Sequence, residues 1–302
     1  MFTSRRARPV MIGPLVVAAI LAGTGSGGFA AAGPVAAASG GHRADSDAPR
    51  ASPIEWRPVI AGVTYAAIPI PRAVPLGDPH LHVVRIDPRK ARLRAAMASE
   101  VDGRRRTAAE WCAGSNLAVA INLGMFQGAP LSNVGYARQG KHLDNSRWNA
   151  YRSALVFGAR RSGIPPARLI DLDQPGARRQ TDEYEAAVQN LRLIEAPGRS
   201  VWSRQTRRWS EAAIGMDAQG EILFLFCRSP FTMFEFNRLL LSLPLRVTRA
   251  MHVEGGPEAS LSIHAGGWNL DLCGSYETGF REDDGETHAW PIPNVVGVEA
   301  VP

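Results

Sequence analysis

The chain has 302 residues, of which 45% are hydrophobic and 21% charged, a composition that supports a packed core and excludes disordered, collagen-like and coiled-coil proteins. Its formal net charge is +6, but Arg5, Arg6 and Arg8 precede an apolar segment near the N-terminus. Without these three the charge falls to +3. Because the remaining arginines are scattered among acids, we expect no nucleic-acid partner.

The N-terminal segment predicts export. An apolar run covers Val10–Ala22, and two sites of the A-x-A type follow at Ala30–Ala32 and Ala36–Ala38. The run is shorter than the about 20 residues that a membrane span needs. We therefore predict a signal peptide at residues 1–38, a secreted or periplasmic protein, and no stable membrane span after cleavage. The Sec and twin-arginine routes both stay open.

A linker and one folded domain follow the signal peptide. Residues 39–55 consist mainly of small and polar residues, which bury too little apolar surface to order themselves. No comparable shift in composition occurs later in the chain. We predict a linker at 39–55 and a single domain at 56–302.

The first half of this domain alternates strands with short helices. Thr107-Ala-Ala-Glu110 has the pattern of a capping box, and an apolar run leads from Leu117 to Asn122. The turn residues Gln139-Gly140 favour a hairpin. The predicted strands are His82–Asp87, Leu117–Asn122, Ser153–Gly158 and Leu191–Ile194, with a hairpin at Tyr136–His142 and helices opening at Thr107 and spanning Glu183–Val188.

The second half gives the clearest pattern. We predict a hairpin over Ala212–Cys227, a helix that begins with a second capping box at Thr232 and runs to Leu243, and a buried strand at Val247–Val253. Hairpins mixed with crossover helices favour an α+β fold, with a mixed, largely antiparallel sheet and flanking helices.

Three cysteines, Cys112, Cys227 and Cys273, allow three alternative disulfide pairings, and the sequence does not choose among them. None has a second Cys or His at metal-ligand spacing, so we predict no metal site and no cofactor. Walker, G-x-S-x-G and H-E-x-x-H motifs are absent from the sequence.

The predicted strand Val247–Val253 leads into Glu254-Gly-Gly-Pro-Glu258. Two glycines at a strand end let successive backbone N–H groups face an anion, and two carboxyls beside them suit hydrolysis at an anomeric carbon. The alternative is a turn between strands with two solvated acids. Because Glu254 follows the strand directly, we expect it to contribute more to function than Glu258.

Several segments in this order resemble the phosphodiester glycosidase domain family. They are Ala120-Ile-Asn-Leu-Gly-Met-Phe126, Gly135-Tyr136, Gln189-Asn-Leu-Arg-Leu-Ile194, Ala213-Ile-Gly-Met-Asp-Ala-Gln-Gly220, Ser229–Leu243, Val253-Glu-Gly-Gly-Pro-Glu-Ala-Ser-Leu261 and Pro291-Ile-Pro-Asn-Val-Val296. The family is related to the lysosomal uncovering enzyme, an N-acetylglucosamine-1-phosphodiester alpha-N-acetylglucosaminidase. Bacterial members are often exported and described in connection with exopolysaccharide.

The resemblance implies a metal-independent hydrolase with catalytic Glu254 and Glu258. Its expected substrate-binding residues are of two kinds. Asn122 and Gln189 orient sugar hydroxyls, and phosphate oxygens are bound by the amides of Gly255 and Gly256 and by one or more of Arg192, Arg207 and Arg208. The expected partner is a carbohydrate or sugar phosphate.

Two positions depart from the family pattern. Glu254 stands where Asp is usual before the two glycines, and Glu211 stands where an Arg is usual, four residues before Gly215. The sequence therefore predicts an exported glycosidase that acts on a sugar-1-phosphodiester or a related exopolysaccharide or cell-envelope linkage. The alternatives are a non-catalytic carbohydrate-binding or exopolysaccharide-associated module, and an envelope scaffold without a sugar site.

Overall fold

A computed structural model describes residues 53–128 and 131–300. The predicted signal peptide and most of the predicted linker lie outside the described residues. The chain from Pro53 onward forms one compact unit.

All paired strands are antiparallel and form two sheets. The strands in chain order are β1 (Arg57–Ile60), β2 (Val63–Pro69), β3 (His80–Ile86), β4 (Leu93–Met97), β5 (Leu117–Asn122), β6 (Ala137–Gln139), β7 (His142–Asn145), β8 (Ser153–Ala159), β9 (Ala167–Asp171), β10 (Tyr184–Glu195), β11 (Arg199–Ser200), β12 (Trp209–Asp217), β13 (Ile222–Phe231), β14 (Val247–Gly255), β15 (Ser260–Ile263), β16 (Leu270–Cys273) and β17 (Asn294–Glu299). The helices are α1 (Ala98–Val101), α2 (Ala108–Ser115), α3 (Ala177–Gln180) and α4 (Met233–Ser242).

The larger sheet has the order β1-β2-β3-β13-β12-β14-β10-β6-β7, and β8, β9 and β11 join it through β10. The smaller sheet has the order β16-β15-β5-β17-β4. The main core lies between the two sheets, where Ile214 and Phe224 of the larger sheet join the same buried cluster as Ile121 and Leu261 of the smaller one. This arrangement is richer in strands than the predicted α+β fold with flanking helices.

The two longer helices cover the outer faces of these sheets. Phe236 and Leu240 of α4 pack with Leu193 and Leu225 of the larger sheet. Trp111 of α2 packs in a separate cluster on the smaller sheet. No helix among the described residues is long and apolar enough to cross a membrane.

The local signals at helix starts and hairpins are confirmed. Thr107 and Thr232 both form complete capping boxes, at the starts of α2 and α4. β6 and β7 form the predicted hairpin, and Gly140 in its turn has a positive φ of 58°. These patterns depend on neighbouring residues, which explains why the sequence was sufficient.

The helix predicted at Glu183–Val188 is wrong. A 3-10 turn ends at Glu183, and Tyr184 begins the twelve-residue strand β10. Ala186 and Val188 pack in the core between the sheets, while Ala187 packs in a different cluster. Because both faces of β10 are buried, its sequence lacks the polar alternation that identifies a half-exposed strand.

The three cysteines are unpaired. Cys112 belongs to α2 and packs against the smaller sheet, whereas Cys227 lies on the α4 side of the larger sheet. Burial raises the pKa of the Cys112 thiol to about 12 and raises that of Cys227 as well. These two therefore behave as small apolar core residues.

Candidate active site

The Glu254–Glu258 segment crosses from the larger sheet to the smaller one. β14 ends at Gly255, one 3-10 turn covers Gly256–Glu258, and β15 follows. Glu254 lies opposite Ala212 of β12, while His252 lies opposite Ala213, so β14 has one extra residue between them. This bulge and the end of the strand fix the backbone that carries the Glu254 carboxyl.

Three half-buried glutamates form a carboxyl cluster at this crossover: Glu254, Glu258 and Glu277. The Oε2 atoms of Glu277 and Glu258 lie 2.9 Å and 3.7 Å from the point that a β-carbon on Gly256 would occupy. Among the described residues, no group of three or more side chains has the arrangement needed to hold a metal ion.

Burial makes the carboxyl cluster bind protons more tightly than exposed glutamates do. Burial raises the pKa of Glu254 well above its usual range, and the charges of Glu258, Glu277 and Glu211 raise it further. Burial also raises the pKa of Glu258 to about 7, where Glu277 adds to the rise and Arg105 opposes it. The same cause raises the pKa of Glu277. Neighbouring carboxyls with different proton affinities are suited to acid and base roles.

The two glycines accommodate the protein's own side chains. A β-carbon on Gly255 would lie 2.7 Å from the ring of Trp209, so this position requires glycine. Gly256 has a positive φ of 67°, and its open side faces Glu277. The Gly255 N–H donates to Glu254 Oε1 at 3.0 Å. The space beside these glycines is therefore occupied by the side chains of Trp209 and Glu277, and it is not open to a ligand.

Glu211 lies directly beside the carboxyl cluster and is fully buried. Its Oε1 lies 2.6 Å from His252 Nδ1, and its Oε2 accepts a hydrogen bond from Trp209 Nε1 at 2.6 Å. A buried carboxyl is stable only when such partners replace water. The pair with His252 thus explains how an acid is tolerated at this position.

Asn122 holds the crossover from the smaller sheet. Its amide donates to the carbonyl of Glu258 at 2.9 Å and accepts from the N–H of Ser260 at 2.7 Å. The residue is 1% exposed. The structure therefore does not support the predicted contact with a sugar hydroxyl, because both ends of the amide are already bonded to the turn that carries Glu258.

Gln189 likewise binds protein rather than solvent. Its side chain is fully buried and hydrogen-bonds the backbone of Tyr136, Asn149 and Tyr151. Burial raises the pKa of the Tyr151 hydroxyl, and the nearby charge of Glu254 raises it further. Gln189 thus positions the segment next to Glu254, and its predicted direct role towards a sugar is not supported.

The three predicted arginines lie in different places. Arg207 joins the carboxyl cluster, since its guanidinium lies 3.3 Å from Glu277 Oε1. Arg208 pairs instead with Glu235 at the start of α4, at 2.7 Å. Arg192 forms ion pairs with an acid at the end of β9, an acid in the loop that follows it, and an acid of its own strand β10. Its partners are Asp171, Asp173 and Glu195. Because these acids engage its guanidinium, the prediction that Arg192 binds phosphate is not supported.

Comparisons with known proteins identify the family of this chain. A family model described as phosphodiester glycosidase matches residues 115–299, more than half of the chain. The chain belongs to the phosphodiester glycosidase family. It is accordingly a hydrolase of the phosphodiester glycosidase type. No curated protein matches the chain.

Two solved structures share the fold of this phosphodiester glycosidase. One is the catalytic domain of zebrafish N-acetylglucosamine-1-phosphodiester alpha-N-acetylglucosaminidase, auto-inhibited by its pro-peptide, with a TM-score of 0.55 and 11% identity over 80% of this chain and 84% of that chain. The other is a hypothetical protein from Synechocystis, with a TM-score of 0.53 and 15% identity over 80% of this chain and 64% of that chain.

The two departures from the family pattern lie side by side in this phosphodiester glycosidase. Glu211 and Glu254 both belong to the group of acids at the β14–β15 crossover, and the charge of Glu211 contributes to the raised pKa of Glu254. The position of the expected arginine therefore adds negative charge here. Arg207, whose side chain is 52% exposed, is the cation that contacts the carboxyl cluster.

Sequence reasoning missed several members of this site. Glu277 follows β16 in a loop that carries no motif, and only the fold brings it to Gly256. Tyr151 lies just before β8, and no sequence motif marks it as a residue of the site. His252 did have a signal, because it lies on the predicted strand that leads to Glu254, two residues before that glutamate.

Proposed function

We propose that this phosphodiester glycosidase is an exported enzyme that hydrolyses a sugar-1-phosphodiester or a related exopolysaccharide or cell-envelope linkage. The observation that carries the proposal is the carboxyl cluster at the β14–β15 crossover, where burial raises the pKa of Glu258 to about 7 and raises that of Glu254 well above its usual range. A protonated acid beside a partly ionised one suits general acid and base catalysis near neutral pH.

The charge of the substrate supports this assignment. A phosphodiester is an anion, and it approaches a group of acids favourably only when several of them are protonated. The raised pKa values of Glu254, Glu258 and Glu277 favour this condition, because each shift is towards the protonated form. Arg207 supplies a cation at the edge of the cluster.

In the proposed reaction the bond between the anomeric carbon and the phosphate oxygen breaks, and water adds to the anomeric carbon. Glu254 donates its proton to the departing phosphate oxygen. The Glu258 carboxylate accepts a proton from the attacking water and stabilises positive charge at the anomeric carbon. The products are the free sugar and a phosphate monoester.

Glu254 carries the larger share of this work. A phosphate monoester is a good leaving group in water, but a second negative charge developing beside Glu211 and Glu277 is costly in a half-buried site. Protonation by Glu254 removes that cost. Water attacks an oxocarbenium-like carbon readily, so it needs less help from Glu258.

Turnover by the full chain tests the proposal. N-acetylglucosamine-1-phosphodiesters of both anomeric configurations are incubated with the protein, and free sugar and phosphate monoester are quantified. Release of both products that is lost in Glu254→Gln supports the proposal. Binding of the sugar phosphodiester without release would contradict it and favour the non-catalytic carbohydrate-binding module.

Export is a separate part of the proposal, supported by the apolar run and the A-x-A sites of the first 38 residues. N-terminal sequencing of protein recovered outside the cytoplasm should begin between Ala32 and Ser39. Mature protein beginning with Met1 would contradict the predicted cleavage.

A further inference from the structure

A polar cleft of about 410 Å³ lies at the start of α4. Arg208, Glu235 and the aromatic ring of Phe234 belong to its walls. The arginines that line the cleft are Arg72, Arg204, Arg208 and Arg238, and Glu235 is the one carboxylate in the lining.

The positive charge of this arginine cleft is largely uncompensated. Arg208 and Arg72 both approach Glu235, at 2.7 Å and 3.9 Å. Burial opposes ionisation of Glu235, but hydrogen bonds from Thr232 and Arg208 outweigh it and lower the pKa of this carboxyl. Glu235 therefore cancels one of four positive charges. Within the described part of the chain, Arg204 and Arg238 form no ion pair.

Aromatic rings hold three of these guanidinium groups. Arg204 and Arg238 lie 5.7 Å and 5.8 Å from the centre of the Phe234 ring, and Arg72 lies 4.5 Å from that of Phe231. A guanidinium that rests on a ring is restrained, yet its N–H groups stay available to carboxylate or phosphate oxygens. Restrained, unpaired donors are what an anion-binding site requires.

The arginine cleft and the carboxyl cluster flank the same short segment. Arg207 contacts Glu277 of the carboxyl cluster, whereas the next residue, Arg208, contacts Glu235 in the arginine cleft. The backbone of Arg208 is also bonded to Thr278, the neighbour of Glu277. The two sites are therefore neighbours, separated by the backbone of Arg207 and Arg208.

We infer that the arginine cleft binds a further phosphate group of the same substrate, so that the preferred substrate is a glycan with repeated phosphodiester links. This inference rests on the proposed function for the identity of the glycan. Guanidinium groups bind a phosphate or a carboxylate in the same way, so the uronic acids of a glycan are the alternative ligand.

Calorimetric binding to the full chain tests this inference, with Glu254→Gln present in every variant so that the probes are not appreciably hydrolysed during the titration. The probes are a trisaccharide joined by two phosphodiester links, a uronic-acid trisaccharide, and a neutral trisaccharide. The double variant Arg204→Gln/Arg238→Gln removes the two unpaired charges, and Arg94→Gln/Arg179→Gln is the matched control, because both of its arginines are exposed and neither forms an ion pair in the described structure. Circular dichroism confirms that both variants fold.

We expect the cleft variant to bind the phosphodiester trisaccharide at least tenfold more weakly, with a smaller dependence on salt, while the control changes the affinity less than twofold. Unchanged affinity in the cleft variant, or equal binding of the neutral trisaccharide, would overturn the inference. Tighter binding of the uronic-acid trisaccharide would overturn the phosphodiester repeat.

These outcomes are independent of turnover. Weaker binding by the cleft variant in a chain that releases no sugar would support the cleft and refute the proposed function. Sugar release from a single phosphodiester together with unchanged binding by the cleft variant would support the proposed function and refute the role of the cleft.

Discussion

Replacing Glu258 by glutamine should make the protein more stable and less active. Glu258 has an ordinary pKa of 4.5 in an unfolded chain and about 7 in the folded one, because burial and Glu277 disfavour its charge. The difference corresponds to about 3 kcal/mol. An acid with a raised pKa imposes no penalty below pH 4.5, a growing penalty between pH 4.5 and 7, and a constant one above.

Glu258→Gln should therefore match the wild type in stability at pH 4 and exceed it at pH 8 by up to about 3 kcal/mol, or roughly 5–10 °C in Tm. The same variant should lower kcat by about tenfold, which is less than the usual contribution of a general base. The effect is small because water attacks the strongly electrophilic anomeric carbon with little help from a base. Thermal unfolding is measured at both pH values beside Glu100→Gln, whose side chain is exposed on α1. Equal unfolding temperatures of the Glu258 variant and the wild type at pH 8 would refute the reasoning.

The remaining predictions concern the same crossover. Glu254→Gln should lower kcat by about 10²-fold or more, roughly 3 kcal/mol, with little change in KM. A loss of activity no larger than that of Glu258→Gln would instead indicate that the loop is a turn without a catalytic role. Gly256→Ala should destabilise the protein by about 1–3 kcal/mol in chemical unfolding, because its φ of 67° and the Oε2 of Glu277 both disfavour a β-carbon, and unchanged stability would contradict this packing. The pH profile of kcat/KM should have an acidic limb near pH 7 in the wild type, where Glu258 loses its proton, and persistence of that limb in Glu258→Gln would assign it to another group.

The parts of the fold that the sequence predicted depend on local chemistry. The capping boxes at Thr107 and Thr232 need only four consecutive residues, and the hairpin around Gly140 needs only its turn. The strand that delivers Glu254 was likewise readable, because an apolar run ends at two glycines. Strand β10 was misjudged at its start, since tertiary burial on both faces removed the pattern that marks a strand.

The site was predicted in part for a similar reason. Glu254 and Glu258 share one loop, so the sequence showed them together. The contacts of Glu277 with Gly256, and of Asn122 with the Glu258 peptide, join residues far apart in the chain. Only the packing of the two sheets brings them together. The amide of Asn122 both donates and accepts hydrogen bonds, as the sequence suggested, but both partners belong to the protein.

We propose that carboxyl groups at the β14–β15 crossover catalyse attack of water on the anomeric carbon. Hydrolysis of a sugar-1-phosphodiester in ¹⁸O-labelled water tests it most directly, because attack on carbon and attack on phosphorus give the same products but place the label differently. The phosphate monoester, whose oxygens do not exchange with water under these conditions, is analysed by mass spectrometry. We expect an unlabelled monoester and a labelled sugar, with formation of both slowed by Glu254→Gln. Label in the phosphate monoester would contradict it.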